Sequence, residues 1–251
     1  MRILNLYAGI GGNRKMWGNE HEITAVEIDS EIAAIYKENF PNDKVVVADA
    51  HQYLLEHYHE FDFIWSSFPC TTHTRMNVNF NIVRFPDLGL YEEIIFLKTF
   101  YKGLWSVENV IPYYGQEGLI IPGFRVQQFN RHLFWCNFRI QTTDKRNPPK
   151  QIQNIIAQNS KRKRKRKRKT YDGDIVNIKP SQPHFGFDLS NIKLKTRKNK
   201  VLRNCVDPEI GLMILNCAIN GFEKTKAGGQ KINYGQTQMN LFSEHERSTC
   251  T

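Results

Sequence analysis

The chain has 251 residues, 40% of them apolar and 24% charged, with a formal net charge of +10. That length holds one sizeable domain, or one domain with a small inserted module. No apolar run approaches the roughly 20 residues that cross a bilayer, so no membrane partner is expected. The positive balance favours a polyanion, nucleic acid first.

The sequence enters a strand pattern at once, Ile3–Tyr7, with no signal-peptide layout. A glycine turn, Ala8-Gly9-Ile10-Gly11-Gly12, follows, then a short helix containing Met16 and Trp17. Ile23–Ile28 is the second strand and ends in Glu27-Ile28-Asp29. A helix is predicted from Ser30 to Asn39, with Ile32, Ile35 and Tyr36 on one face and Pro41 just beyond its end. Val45–Ala48 is a third strand ending at Asp49, and Asp62–Ser66 a fourth, running into Pro69-Cys70. Ile94–Trp105 is a helix candidate, Trp105–Asn109 the next strand, and His132–Phe138 another. Short apolar runs alternating with helical segments predict an α/β fold with a mostly parallel sheet.

After Phe138 the texture changes. Residues 139–200 are polar and basic, with nine consecutive Lys and Arg residues from Lys161 to Lys169. Adjacent like charges repel and stay solvated, so this run reads either as a disordered linker or as a phosphate-gripping arm. Apolar patterning resumes at Val201 and predicts a core helix through Leu215, and a polar tail is expected from Glu223. The resulting divisions are residues 1–138, an α/β domain; 139–200, a short basic region; 201–222, a segment returning to the first; and 223–251, a tail.

Glycine after a first strand lets the backbone turn tightly and approach a ligand, and an acid after the second strand commonly meets ribose hydroxyls. Glu27 and Asp49 stand at such strand ends, although either acid alone could be only a helix cap. Cys70 lies where ligands of open α/β sheets gather, and a nearby positive charge or helix N-terminus is expected to favour its thiolate. The five cysteines are odd in number and form no CxxC pair, so a disulfide framework is not expected and a reducing cytoplasm is. Cys70-x-x-His73 lacks a second ligand pair, and no metal site is expected.

These motifs, in this order, resemble the DNA cytosine-5 methyltransferase family over Arg2 to about Phe138 and Val201 to about Asn220. Leu6–Gly12 is similar to its cofactor loop and Val26-Glu27-Ile28-Asp29 to its ribose-binding segment. Phe68-Pro69-Cys70 is similar to its nucleophile loop and Val107-Glu108-Asn109-Val110 to the segment bearing its catalytic acid. Gln127-x-x-x-Arg131 resembles the Gln-x-Arg-x-Arg motif, and Leu202-Arg203-Asn204-Cys205-Val206 the late segment that returns to the cofactor. Two positions depart from the pattern: Thr71 stands where glutamine is usual, and Phe129 replaces the first arginine.

The resemblance implies a Rossmann-like methyltransferase fold using S-adenosylmethionine, with Tyr7, Gly9, Gly11, Gly12, Glu27, Ile28, Asp49, Ala50, Pro69 and Asn204 around the cofactor. It implies a Cys70 nucleophile attacking carbon 6 of a cytosine flipped from double-stranded DNA, Glu108 acting at ring N3, Asn109 holding the loop and Arg131 contacting the base O2. The short 139–200 region, which the resemblance makes the target-recognition region, implies a short recognition sequence or weak specificity supported by phosphate contacts. A monomeric prokaryotic or phage enzyme is expected, solitary or paired with a restriction endonuclease. Two alternatives stay open: methylation of transfer RNA, and a nucleic-acid-binding protein of the same fold with impaired turnover.

Overall fold

The computed structural model describes residues 1–79, 84–114, 126–129, 132–140, 150–151 and 185–227, with backbone alone at 129, 150–151, 199 and 221–227. Eight strands form one sheet: β1 (Arg2–Leu6), β2 (Glu22–Glu27), β3 (Lys44–Val47), β4 (Phe63–Ser67), β5 (Leu104–Val110), β6 (Val126–Phe129), β7 (His132–Cys136) and β8 (Lys150–Gln151). Their spatial order is β3-β2-β1-β4-β5-β7-β6-β8. β1 to β5 are parallel to one another; β7 runs antiparallel to both β5 and β6, and β8 antiparallel to β6. The helices are α1 (Ser30–Asn39), α2 (Ala50–His57), α3 (Met76–Asn79), α4 (Gly89–Phe100), α5 (Lys198–Arg203) and α6 (Pro208–Ala227).

This is a Rossmann-like α/β fold. From β1 the chain first builds outward to β2 and β3, then crosses to the other side for β4 and β5. Such a reversal opens a crevice at the carboxyl ends of the strands.

Strand periodicity assigns the two faces of the sheet. Leu4 and Leu6 of β1, Ile64 of β4, Val107 of β5 and Trp135 of β7 pack with Leu90, Ile94 and Leu97 of α4 on one side. Ile3, Phe63, Trp65 and Phe134 pack with Trp17 and with Ile214, Leu215 and Ala218 of α6 on the other. α6 can lie close because residue 211 is glycine: a Cβ there would stand 2.3 Å from the Asn13 carbonyl oxygen. A third cluster joins Ile32, Ile35 and Tyr36 of α1 to Phe187, Leu189, Val201 and Leu202. The end of the basic 139–200 region is therefore anchored on α1.

Two predicted helices are corrected. α4 spans Gly89–Phe100, not Ile94–Trp105. The apolar run merged a helix end with the next strand; the chain actually breaks at Tyr101–Gly103, where Leu104 N–H bonds the Asp62 carbonyl at 3.1 Å to start β5. The helix predicted from Val201 through Leu215 is two helices, interrupted by Asn204–Asp207. Asp207 accepts from Glu209 N–H at 2.9 Å and Pro208 opens α6, a position that needs no amide donor. α6 continues to Ala227, past the expected start of the tail. α2, capped by Asp49, escaped the sequence reading. Arg131, the Lys161–Lys169 run and residues 228–251 lie outside the described residues. Among those residues, no helix is long and apolar enough to cross a membrane.

Candidate active site

The parallel sheet brings the sequence-predicted groups to one edge. Tyr7 follows β1, Glu27 ends β2, Asp49 follows β3, Pro69-Cys70 follows β4, and Glu108-Asn109 lie near the end of β5. Ser67 and Glu108 are direct partners across β4 and β5. The side-chain amide of Asn109 donates to the Phe68 carbonyl at 2.9 Å, and its oxygen accepts from Val110 N–H at 2.8 Å. This residue thus pins the loop that presents Cys70, and the Cys70 carbonyl closes the loop by accepting from His73 and Thr74 N–H, both at 3.0 Å.

Cys70 is half-buried and Glu108 is buried. Burial, and then the Glu108 carboxylate, push the Cys70 thiol up, against a smaller opposing pull from Lys200. The expected thiolate-favouring surroundings are thus not supplied by the described residues. Burial pushes the Cys136 and Cys205 thiols up to about 12.

The glycine loop divides its tasks. Gly9, at φ +55, has open space where a Cβ would project, and its N–H donates to Glu27 at 2.9 Å. Gly11, at φ +87, is pressed against α1: an added Cβ would stand 2.3 Å from the Phe40 ring. Gly11→Ala combines the left-handed backbone with overpacking and is expected to lower stability by about 1–3 kcal/mol, measured by urea unfolding. Gly12 abuts the late segment, with Cys205 Cβ and the Val206 carbonyl each 2.7 Å from an added Cβ. Asn204 itself is exposed at the end of α5.

Glu27 also accepts from Asp29 N–H at 3.0 Å, while Asp29 caps α1. Asp49 is exposed and caps α2 through Gln52 N–H at 2.9 Å, and Ala50 is the buried first residue of that helix. Ile28, by contrast, leaves an apolar side chain 68% exposed beside Glu27. The open face over Gly9, the spare lone pairs of Glu27 and the uncovered Ile28 fit a cofactor with a ribose and an apolar ring face.

Several residues that support the site were missed in the sequence. Glu93 of α4, fully buried, accepts from Tyr7 Oη at 2.5 Å and Ser66 Oγ at 2.7 Å, and pairs with His51 Nδ1 at 3.2 Å. It ties the glycine-loop tyrosine, itself at φ +53 and edge-on to Phe68, to β4 and α2. Burial and Glu93 raise the Tyr7 phenol, so it stays a donor. The bond to Glu93 leads the causes that raise the His51 imidazole above its usual 6.5. The stabilisation is therefore fully present below about pH 6.5 and is lost as pH rises through the higher folded-state value. The stability difference between wild type and His51→Gln should therefore be larger at pH 6 than at pH 9 in paired urea titrations.

Beyond Cys70, the fully buried His73 bonds Tyr114 Oη through Nδ1 at 2.8 Å, and Tyr114 bonds Tyr91 Oη of α4 at 2.7 Å. His73 therefore serves this chain of rings, which fixes the far side of the Cys70 loop. Its only sequence signals were proximity to Cys70 and an aromatic pair shortly after Asn109.

Comparison with known proteins finds similarity over part of the chain. The family model of C-5 cytosine-specific DNA methylases matches residues 1–75, from the glycine loop through Cys70. The Type II methyltransferase M.Bsp6I of Bacillus sp. (strain RFL6) is 33% identical over 75 residues, which are 29% of this chain. The match spans about a quarter, 24%, of that relative's length. Among solved structures, a DNMT2 variant from Spodoptera frugiperda is 26% identical, covering 54% of this chain and 48% of its own at a TM-score of 0.38. The Entamoeba histolytica methyltransferase EhMeth is 13% identical, covering 56% of this chain and 55% of its own at a TM-score of 0.37. The resemblance to the cytosine-specific methylase family is thus shown over the first 75 residues.

Proposed function

We propose that this protein is an S-adenosylmethionine-dependent methyltransferase that modifies carbon 5 of cytosine in DNA through a covalent Cys70 adduct on a flipped base. The observation that carries the reading is the clamp from Asn109 to the Phe68 carbonyl at 2.9 Å, which fixes the Cys70 loop beside the strand bearing Glu108. A nucleotide-binding α/β protein without this chemistry needs neither group there.

Gly9, Glu27 and Ile28 would hold the cofactor, with Tyr7 and Pro69 beside it. Bound there, S-adenosylmethionine supplies the electrophilic methyl group that carbon 5 takes. The chain's own residues make carbon 5 able to take it. Cys70 Sγ forms a bond to ring carbon 6, and the displaced electron density moves toward ring N3, where Glu108 delivers a proton. The ring is then an enamine, nucleophilic at carbon 5. Loss of the carbon 5 proton afterwards breaks the Sγ–C6 bond and restores Cys70. Because the described surroundings favour the neutral thiol, Cys70 must lose its proton as substrate binds. Arg131 is assigned here to the base O2 and the thiolate.

The test is transfer of labelled methyl from S-adenosylmethionine to mixed-sequence duplex DNA, with transfer RNA in parallel. Label in DNA supports the proposal. Label in RNA alone keeps the chemistry and changes the substrate; label in neither, from folded protein, rejects the reading. Residues 139–200 are proposed as the target reader, and methylated sites recovered by sequencing should then share a short motif. A long motif would refute that assignment.

A further inference from the structure

The first residue of β7 reaches back to the acid. His132 stands opposite Val110 in the β5–β7 pairing and Glu108 opposite Phe134, so His132 and Glu108 are diagonal neighbours on one face of the sheet. The imidazole Nδ1 makes a short hydrogen-bonded contact with Glu108 Oε1. The Glu108 side chain is 8% exposed and that of His132 is 31% exposed, so the imidazole lies between a buried carboxyl group and solvent. Neither the family pattern quoted above nor the reaction scheme uses this residue.

We propose that His132 is the positioning residue for Glu108, an inference that rests on the cytosine reading above. Nδ1–H donates to Oε1 of the resting carboxylate, so the proton that Glu108 takes up when the base binds is carried on Oε2, the oxygen left for the base. When Oε2 gives that proton to ring N3, the O–H electron pair stays on the carboxylate. The existing Nδ1–H···Oε1 bond then becomes charge-assisted, a stronger bond at the moment negative charge appears. The proton returns to Oε2 when the adduct collapses, and His132 neither gains nor loses one. The charges of Glu108 and of Lys200 in α5 both act on Cys70, in the loop after β4. The pH profile is therefore read as that of Cys70 and the His132–Glu108 pair together.

The experiment uses the full chain in two arms. In the kinetic arm, His132→Leu should lower kcat by about 100-fold with KM for S-adenosylmethionine unchanged, the scale of a positioned acid–base contribution. His132→Asn, which keeps an N–H near the Nδ1 position, should recover at least about tenfold of that loss. In the second arm, the ¹⁵N signals of His132 in wild type should show a protonated Nδ1 across neutral pH, and Glu108→Gln should move that signal. A wild-type kcat in His132→Leu overturns the proposal, as does an unprotonated Nδ1. If His132→Leu does not fold, the asparagine variant and the wild-type spectrum decide. Inactivity of the wild type on both DNA and transfer RNA removes the cytosine reading and this inference together. An active wild type that is indifferent at position 132 removes this inference alone.

Discussion

Duplex DNA in which every cytosine is 5-fluorocytosine is expected to trap wild-type protein in a denaturant-resistant complex when S-adenosylmethionine is present, and Cys70→Ala is expected to form none. The logic is one of leaving groups. Regeneration of Cys70 needs carbon 5 to lose a proton, and fluorine cannot depart as a cation, so the Sγ–C6 bond persists. Without the thiol the bond never forms, and the effect is all-or-none on a denaturing gel. Equal complex from Cys70→Ala would place the nucleophile elsewhere or dismiss covalent chemistry. A companion measurement needs no DNA. Burial and Glu108 hold the Cys70 thiol up, so alkylation by iodoacetamide should be slow at pH 7 and climb about tenfold per pH unit as the thiolate fraction grows. Glu108→Gln removes one of the two causes and should speed alkylation at pH 7 while abolishing methyl transfer. A slower reaction would contradict the placement of the two groups.

The portions of the fold legible in the sequence are those where a local pattern decides. α1 was readable because Ile32, Ile35 and Tyr36 share a face and Pro41 follows it; its cap, Asp29, emerged only in the structure. β1, β2 and β4 were readable as short apolar runs bounded by turn residues. α4 was misplaced because Ile94–Trp105 is continuously apolar, and periodicity alone cannot tell a buried helix end from the buried strand that follows. α2 was invisible because its sequence, Ala-His-Gln-Tyr-Leu-Leu-Glu-His, has only a narrow apolar face. Similar limits governed the site. Cys70, Glu108 and Asn109 could be picked out as chemically capable groups at strand ends, and the parallel sheet then brings them to one edge. Glu93, His51, His73 and His132 could not, since each acquires its role from a partner many residues away. Glu93 reads as one of two acids on a helix, and only the crossing of α4 over β1 and β4 turns it inward to Tyr7 and Ser66.

Asp43→Ala is expected to be the most damaging substitution away from the chemistry, lowering stability by about 3–5 kcal/mol in urea unfolding. Arg14 and Asp43 are 4% and 3% exposed and form a two-pronged ion pair, with Nε to Oδ2 at 2.8 Å and Nη2 to Oδ1 at 3.1 Å. Tyr36 Oη donates to the same Oδ2 at 2.8 Å, and the guanidinium lies 4.9 Å over the Phe40 ring. Removing the carboxylate leaves a charge and a hydroxyl buried without their acceptor, which costs more than the pair contributed. The consequence should also reach the cofactor. Arg14 begins one residue after the Asn13 amide that bonds Asn5 of β1 at 2.8 Å, and Phe40 and Tyr36 are the surfaces against which Gly11 rests. Loss of the node therefore frees the glycine loop on its α1 side, and S-adenosylmethionine affinity should weaken along with stability. Arg14→Met combined with Asp43→Leu discriminates between causes: with no buried charge left unpaired, most of the stability should return. Full loss of stability in the double variant would mean that the bidentate geometry, rather than the orphaned charge, holds the loop in place.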